Sequence, residues 1–191
     1  MRLVVGMSGA SGVIYGVRFL QVLRELGVES HLILSPGVEE TLKHEVNLTL
    51  SDVEKLATVR YSNRDMAAAP SSGSFLTEGM AVVPCSMKTL AGIVSGYSDN
   101  LVLRAADVTL KERRPLVLVP RETPLSVIHL ENMLQASRAG AVMLPAMPGF
   151  YIRPKTIDDL VNHVVGKVLD ALKIPHSVFQ RWGSKETEGE R

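Results

Sequence analysis

Five short runs in this chain are apolar, four of them throughout and the fifth after Ser30 and His31, and a helical pattern separates each from the next. They are Leu3–Met7, Ser30–Leu34, Met80–Pro84, Pro115–Pro120 and Ala141–Leu144. Strands that show no polar face must be covered on both sides, which demands a parallel sheet between two layers of helices. The sequence therefore predicts a single Rossmann-like or flavodoxin-like α/β domain over residues 1–183, with a charged tail at 184–191 that has nothing to bury and is expected to be disordered. A chain of 191 residues can bury about 70% of its unfolded surface, so no staple is required.

The helices announce their ends. Val13 to Leu26 carries Val13, Val17, Leu20 and Leu23 on one face and stops at Gly27. Ser35-Pro36 reads as a cap and first turn, and Ser51–Glu54 as a capping box. Tyr61–Gly79 is the least regular stretch and reads as a long loop. Ser86 to Thr89 opens a helix, Asp99-Asn100 caps one running to about Arg114, and Ser126 caps one that ends at Gly140. Thr156 begins the last, with Leu160, Val161, Val164, Val168 and Leu172 on its apolar side.

In open parallel sheets, ligands bind outside the carboxyl ends of the strands. Polar residues gather at those ends: Ser8 and Ser11, Ser35, Ser86 and Thr89, Arg121 and Glu122, then Tyr151. The first tip, Gly6-x-x-Gly9-x-x-Gly12, lets backbone approach a ligand, with a helix N-terminus behind it for an anion. It is not the dinucleotide pattern, and the second strand ends in Ser35 rather than a ribose-binding acid, so NAD is disfavoured. Neither a phosphate-binding loop of the nucleoside triphosphatases nor a nucleophile elbow is present.

Charge excludes other partners. Lys+Arg is 21 against Asp+Glu 20, a balance that suits neither nucleic acid nor a membrane surface. No apolar stretch is long enough to span a bilayer. A single cysteine, Cys85, fits a reducing cytoplasm, and at a strand end it reads as a buried small residue rather than a nucleophile. The histidines form no H-E-x-x-H, so no metal is expected, and His129 reads as structural. An Arg121-Glu122 pair at the mouth of the sheet is different: arginine suits a phosphate, and glutamate suits proton transfer.

The chain resembles the flavin prenyltransferases of the UbiX family from about Leu3 to Trp182. The resemblance is carried by Ser8-Gly-Ala-Ser-Gly-Val-Ile-Tyr-Gly16, Ser71–Ser74, Pro84-Cys-Ser-Met-Lys-Thr-Leu90, Arg104–Val108, Leu110–Leu118, Pro120-Arg-Glu-Thr-Pro124, His129–Met133 and Pro148-Gly-Phe-Tyr151. It implies a homododecamer binding FMN where subunits meet, and transfer of a prenyl group from dimethylallyl monophosphate to N5 and C6 of reduced FMN. It also implies service to a partner aromatic-acid decarboxylase that uses the prenylated FMN. By matching position, Gly9, Ala10, Ser11, Ser35, Ser86, Met87, Lys88, Thr89, Arg104 and Arg121 would hold FMN. Lys111, Tyr151 and Lys167 would hold the substrate phosphate near Arg121 and Glu122, while Glu45 and Trp182 line the prenyl end. Ser11, Glu45 and Glu122 would serve the chemistry. One position departs from the pattern: at Lys167 the family often carries arginine, so a bidentate phosphate grip becomes a point charge. That bears on whether the donor is a mono- or a diphosphate.

Two other classes share parts of this pattern. An FMN-dependent cysteine decarboxylase would carry an asparagine in the stretch that here reads Pro145-Ala-Met-Pro-Gly-Phe-Tyr151. A non-catalytic flavin carrier or assembly subunit would leave Glu122 and the Lys111, Tyr151, Lys167 set without a task.

Overall fold

The computed structural model describes residues 1–183. Six parallel strands form one sheet in the order β3-β2-β1-β4-β5-β6. They are β1 (Arg2–Met7), β2 (Glu29–Leu34), β3 (Val59–Ser62), β4 (Gly79–Cys85), β5 (Leu116–Pro120) and β6 (Val142–Met143). The helices are α1 (Val13–Glu25), α2 (Gly37–Glu45), α3 (Leu50–Glu54), α4 (Met87–Val94), α5 (Leu101–Lys111), α6 (Val127–Arg138) and α7 (Ile157–Ala171). Order reverses between β1 and β4, which makes their carboxyl ends the switch point of the fold.

Each face of the sheet has its own core. Val5, Met7, Val83 and Val119 pack against α1 and α7 through Phe19, Leu20, Leu23, Val164 and Val168. Val4, Met80, Val82 and Leu118 pack against α4, α5 and α6 through Leu90, Ile93, Val102, Ala105 and Ala136. Strands β4 and β5 are buried at every position, as their unbroken apolar runs require.

The sequence expectations fail at local points. Tyr61 and Ser62 belong to an edge strand, β3, not to the long loop; its alternating burial breaks the all-apolar rule that marks the central strands. Ser35 does not cap α2: Pro36 holds the N-cap position, and no side chain caps it. The capping box of α3 is Thr49 with Asp52, two residues ahead of the expected start. Helix α5 ends at Lys111, because Arg113 turns left-handed at φ 55°. The tail at 184–191 lies outside the described residues.

Candidate functional site

The tips after β1 and β4 are tied together by Ser8. Its buried hydroxyl donates to the Pro84 carbonyl at 3.1 Å and accepts from the Ser86 amide at 2.7 Å. Ser86 in turn caps α4, accepting from the Thr89 amide at 3.2 Å and donating to Thr89 Oγ1 at 3.0 Å. What remains for a ligand at this helix start is the pair of amides of Met87 and Lys88, beside the exposed Lys88 side chain.

Helix α1 is different. Its N-cap, Gly12, is left-handed at φ 97° and offers no side chain. The carboxylate of Glu45, the last residue of α2, does the work: Oε2 accepts from the amides of Gly12 at 2.7 Å and Val13 at 3.0 Å. The anion that the first helix start attracts is therefore supplied by the chain itself, while the starts of α4 and of α2, which no side chain caps, keep amides open for a phosphate.

Gly9 has a packing reason to be glycine. A Cβ there would sit 2.8 Å from Gly37 Cα, so the first tip and the start of α2 meet backbone on backbone. Ala10 is buried, Ser11 is exposed, and Ser35 lies in a groove of about 340 Å³ bounded by Glu39, Arg60 and Tyr61.

Arg121 reaches from the end of β5 back to the first tip, where Nε donates to the Ser11 carbonyl at 3.2 Å. Its charge also lies near Tyr15: burial raises that phenol's pKa, and Arg121 partly offsets the rise. Glu122 is exposed and takes a different partner, accepting from the Thr123 amide at 3.1 Å.

A third group comes from the segment after β6 and from α7. Tyr151 Oη lies 3.1 Å from His163 Nε2, and the exposed Trp182 ring meets Tyr151 edge-on at 5.6 Å. Lys167 Nζ stands 3.6 Å from Asp170, whose carboxylate also binds Arg181 at 2.7 Å and His176 at 3.0 Å. The hydrogen bond from Arg181 leads in holding the Asp170 carboxyl below its usual range. Sequence reasoning missed His163, Asp170 and Arg181; the one signal was a histidine set among the buried valines of α7.

Arg104 and Lys111 stand apart from all of this. They line a groove with Ser71, Ser72, Gly73, Ser74 and Glu112. Arg104 Nε donates to the Ser71 carbonyl at 3.1 Å and its Nη1 pairs with Asp107, while Lys111 pairs with Glu112. Lys111 ends the helix that leads into β5, whereas Arg121 leaves β5 at the other end. The five residues of that strand put about 16 Å between the two edges. Arg114, which donates to the Gly73 and Phe75 carbonyls, and Arg2, stacked 4.7 Å over Phe75, mark the same amino edge.

Cys85 is buried, and burial pushes its thiol up to about 12, so it is no nucleophile at neutral pH. His129 is structural, its Nδ1 accepting from the Ser126 amide at 3.3 Å. Among the described residues no three His, Cys, Asp or Glu side chains group to hold a metal, and no helix is long and apolar enough to cross a membrane.

A doubly wound sheet with an open helix start at its switch point and an arginine over the first tip defines an α/β protein with an anion-binding site of the nucleotide-binding kind. The flavoprotein family model matches residues 1–169. Flavin prenyltransferase UbiX of Escherichia coli K12 is 54% identical over 95% of this chain and 97% of its own. A solved UbiX (PadA1), in complex with FMN and dimethylallyl pyrophosphate, superposes with TM-score 0.94 at 52% identity over 96% and 97% of the two chains. A dodecameric FMN-dependent UbiX-like decarboxylase from Escherichia coli O157:H7 gives 0.94 at 55% identity, over 96% of this chain and all of that one. The chain belongs to the UbiX family of flavin prenyltransferases. Peptidyl-cysteine decarboxylase EpiD, at 17% identity and TM-score 0.64, shares the fold alone.

Proposed function

We propose that this protein transfers a prenyl group from dimethylallyl monophosphate to reduced FMN, forming bonds at N5 and C6, and hands the prenylated flavin to an aromatic-acid decarboxylase. The observation that carries this reading is the carboxyl mouth of the sheet, where Arg121 lies over the first tip and Glu122 beside it is free of Arg121. A carrier needs the arginine but not the carboxylate.

FMN fits what the residues leave open. The Met87 and Lys88 amides take its phosphate at the start of α4, with Ser35 and Thr89 at the margins. The backbone of Gly9, Ala10 and Ser11 borders the ring. Bound reduced flavin supplies the nucleophilic N5 and C6; the protein supplies everything else. Arg121, Tyr151 and Lys167 neutralise the leaving phosphate, because allylic ionisation requires the departing charge to be held and water kept away. Ring closure consumes a proton at the allylic double bond and releases one from the ring carbon, and Glu122 relays that exchange. Trp182 and Glu45 border the prenyl group, and Ser11 faces N5.

Lys111 lies too far from this mouth to reach it within one chain, and Arg104 shares its groove. We assign them to the site of a neighbouring copy, in a homo-oligomer of the dodecameric kind described for the relative from Escherichia coli O157:H7. Exposed Val127, Ile128, Leu130 and Leu134 on α6 support burial against other copies. Residues 1–183 act as one flavin-binding unit, in the cytoplasm, where a lone thiol stays reduced. The test is incubation with reduced FMN and dimethylallyl monophosphate, followed by mass spectrometry of the flavin. A gain of one prenyl unit is expected; unchanged FMN means a carrier.

A further inference from the structure

Tyr151 rests on a histidine to which the reaction above gives no role. The rings meet edge to face at 5.5 Å, and Tyr151 Oη lies 3.1 Å from His163 Nε2. His163 is only 6% exposed, set on the buried side of α7 beside Val164 and against Phe179.

The other ring nitrogen decides which way the proton runs. The Gly149 amide donates to His163 Nδ1 at 3.2 Å, so Nδ1 presents its lone pair. A neutral imidazole has one N–H, which must then be at Nε2. Burial first, and the Lys167 ammonium one helical turn along second, lower the His163 pKa and favour that neutral form. Nε2–H accordingly donates to Tyr151 Oη, and the phenol proton is left to donate elsewhere. Gly149 is what allows this: a Cβ there would lie 2.9 Å from Tyr151 Cε1 and 3.4 Å from His163 Cε1.

We propose that His163 is a positioning residue: by donating Nε2–H to the phenol oxygen, it aims the Tyr151 hydroxyl at the leaving phosphate. This rests on the reading of Tyr151 as a phosphate ligand. A phenol that already accepts a hydrogen bond is also the better donor, because linked hydrogen bonds polarise one another. The gain falls on phosphate binding and departure, not on the fold.

Two substitutions separate the ring's two hydrogen bonds. His163→Asn keeps an acceptor for the Gly149 amide and loses the donor to Tyr151. His163→Gln can carry an amide N–H to where Nε2 stood. KM and kcat for dimethylallyl monophosphate are measured for both, for Tyr151→Phe and for the Tyr151→Phe/His163→Asn double variant, with melting midpoint and FMN binding as controls. Tyr151→Phe and His163→Asn should each raise KM about tenfold, the size of a hydrogen bond to a charged group. Glutamine should recover most of the loss, and the double variant should be no worse than Tyr151→Phe. Multiplied losses in the double variant, or equal losses for Asn and Gln, would overturn the positioning role alone. An unchanged KM in Tyr151→Phe would overturn the phosphate assignment and this proposal with it. Histidine 15N spectra of the unsubstituted protein bear on it independently of any variant's folding: a protonated Nδ1 at His163 sinks the idea.

Discussion

Arg121 Nε donates to the carbonyl of Ser11 at 3.2 Å, so the segment leaving β5 is latched to the tip leaving β1 across the width of β4. The latch puts a guanidinium over the switch point and leaves the next side chain, Glu122, outside it. Glu122 spends one oxygen on the Thr123 amide and none on Arg121. Glu122→Gln keeps that acceptor and removes the base. The variant should bind FMN normally and form product at least about a hundredfold more slowly, the usual share of general acid–base catalysis. Turnover at the unsubstituted rate would mean the phosphate itself takes the proton.

Glu45 has a structural duty that can be measured apart from any chemical one. Its carboxylate is the cap of α1, and an end charge with two amide bonds is worth about 1 kcal/mol. Glu45→Ala should lower the melting midpoint by about 2–4 °C for a chain of this size. Glu45→Gln should hold the midpoint nearer the unsubstituted value yet lose turnover. If alanine leaves the midpoint unmoved, the cap contributes nothing and the carboxylate is there for chemistry alone.

The close approach of Gly9 to Gly37 predicts a cost on both sides of the contact. Gly9→Ala and Gly37→Ala each force a methyl to about 3 Å from the other's Cα, where backbone must give way. Overpacking of this kind costs about 1–3 kcal/mol. Urea midpoints should fall for both, and FMN affinity should fall with them, because the moved backbone borders the flavin. Gly9→Ala with native stability but no FMN binding would assign Gly9 to ligand contact instead.

The central sheet was legible because burial on two faces leaves no freedom: Leu3–Met7 and Val117–Val119 can be little else. The edge was not. Val59–Ser62 pairs on one side only, so alternation replaced the apolar run, no strand was expected there, and Tyr61 and Ser62 fell into an apparent loop. The site divides the same way. Residues at strand ends were visible through topology, which fixes Ser8, Ser86 and Arg121 at one rim. The cap by Glu45 and the contact between His163 and Tyr151 join residues 33 and 12 positions apart. No local pattern encodes them.

Cys85 offers a check on burial at the switch point. With its thiol raised to about 12, under 1% is thiolate at pH 8, and the sulfur is enclosed by the core beneath α4. Iodoacetamide should leave the native protein unmodified over hours and label it fully in denaturant. Rapid native labelling would show that the β4 tip opens.

The separation of Lys111 from Arg121 gives the sharpest prediction. Each lies at an opposite edge of the sheet, about 16 Å of strand apart, so a site that uses both must draw them from two copies. Lys111→Ala should raise KM for dimethylallyl monophosphate while FMN binding survives, and chelators should change neither. Glu122→Gln should abolish most turnover by a separate route. Unfolding and refolding the two variants together should then regenerate activity, because some sites in mixed oligomers pair an intact Glu122 with an intact Lys111. With random mixing of equal amounts, about a quarter of two-copy sites would be whole, whereas either variant refolded alone would keep its own defect, a raised KM or slow turnover. Absence of complementation, in mixed oligomers verified by mass, would place both residues in one chain's site and refute the shared arrangement.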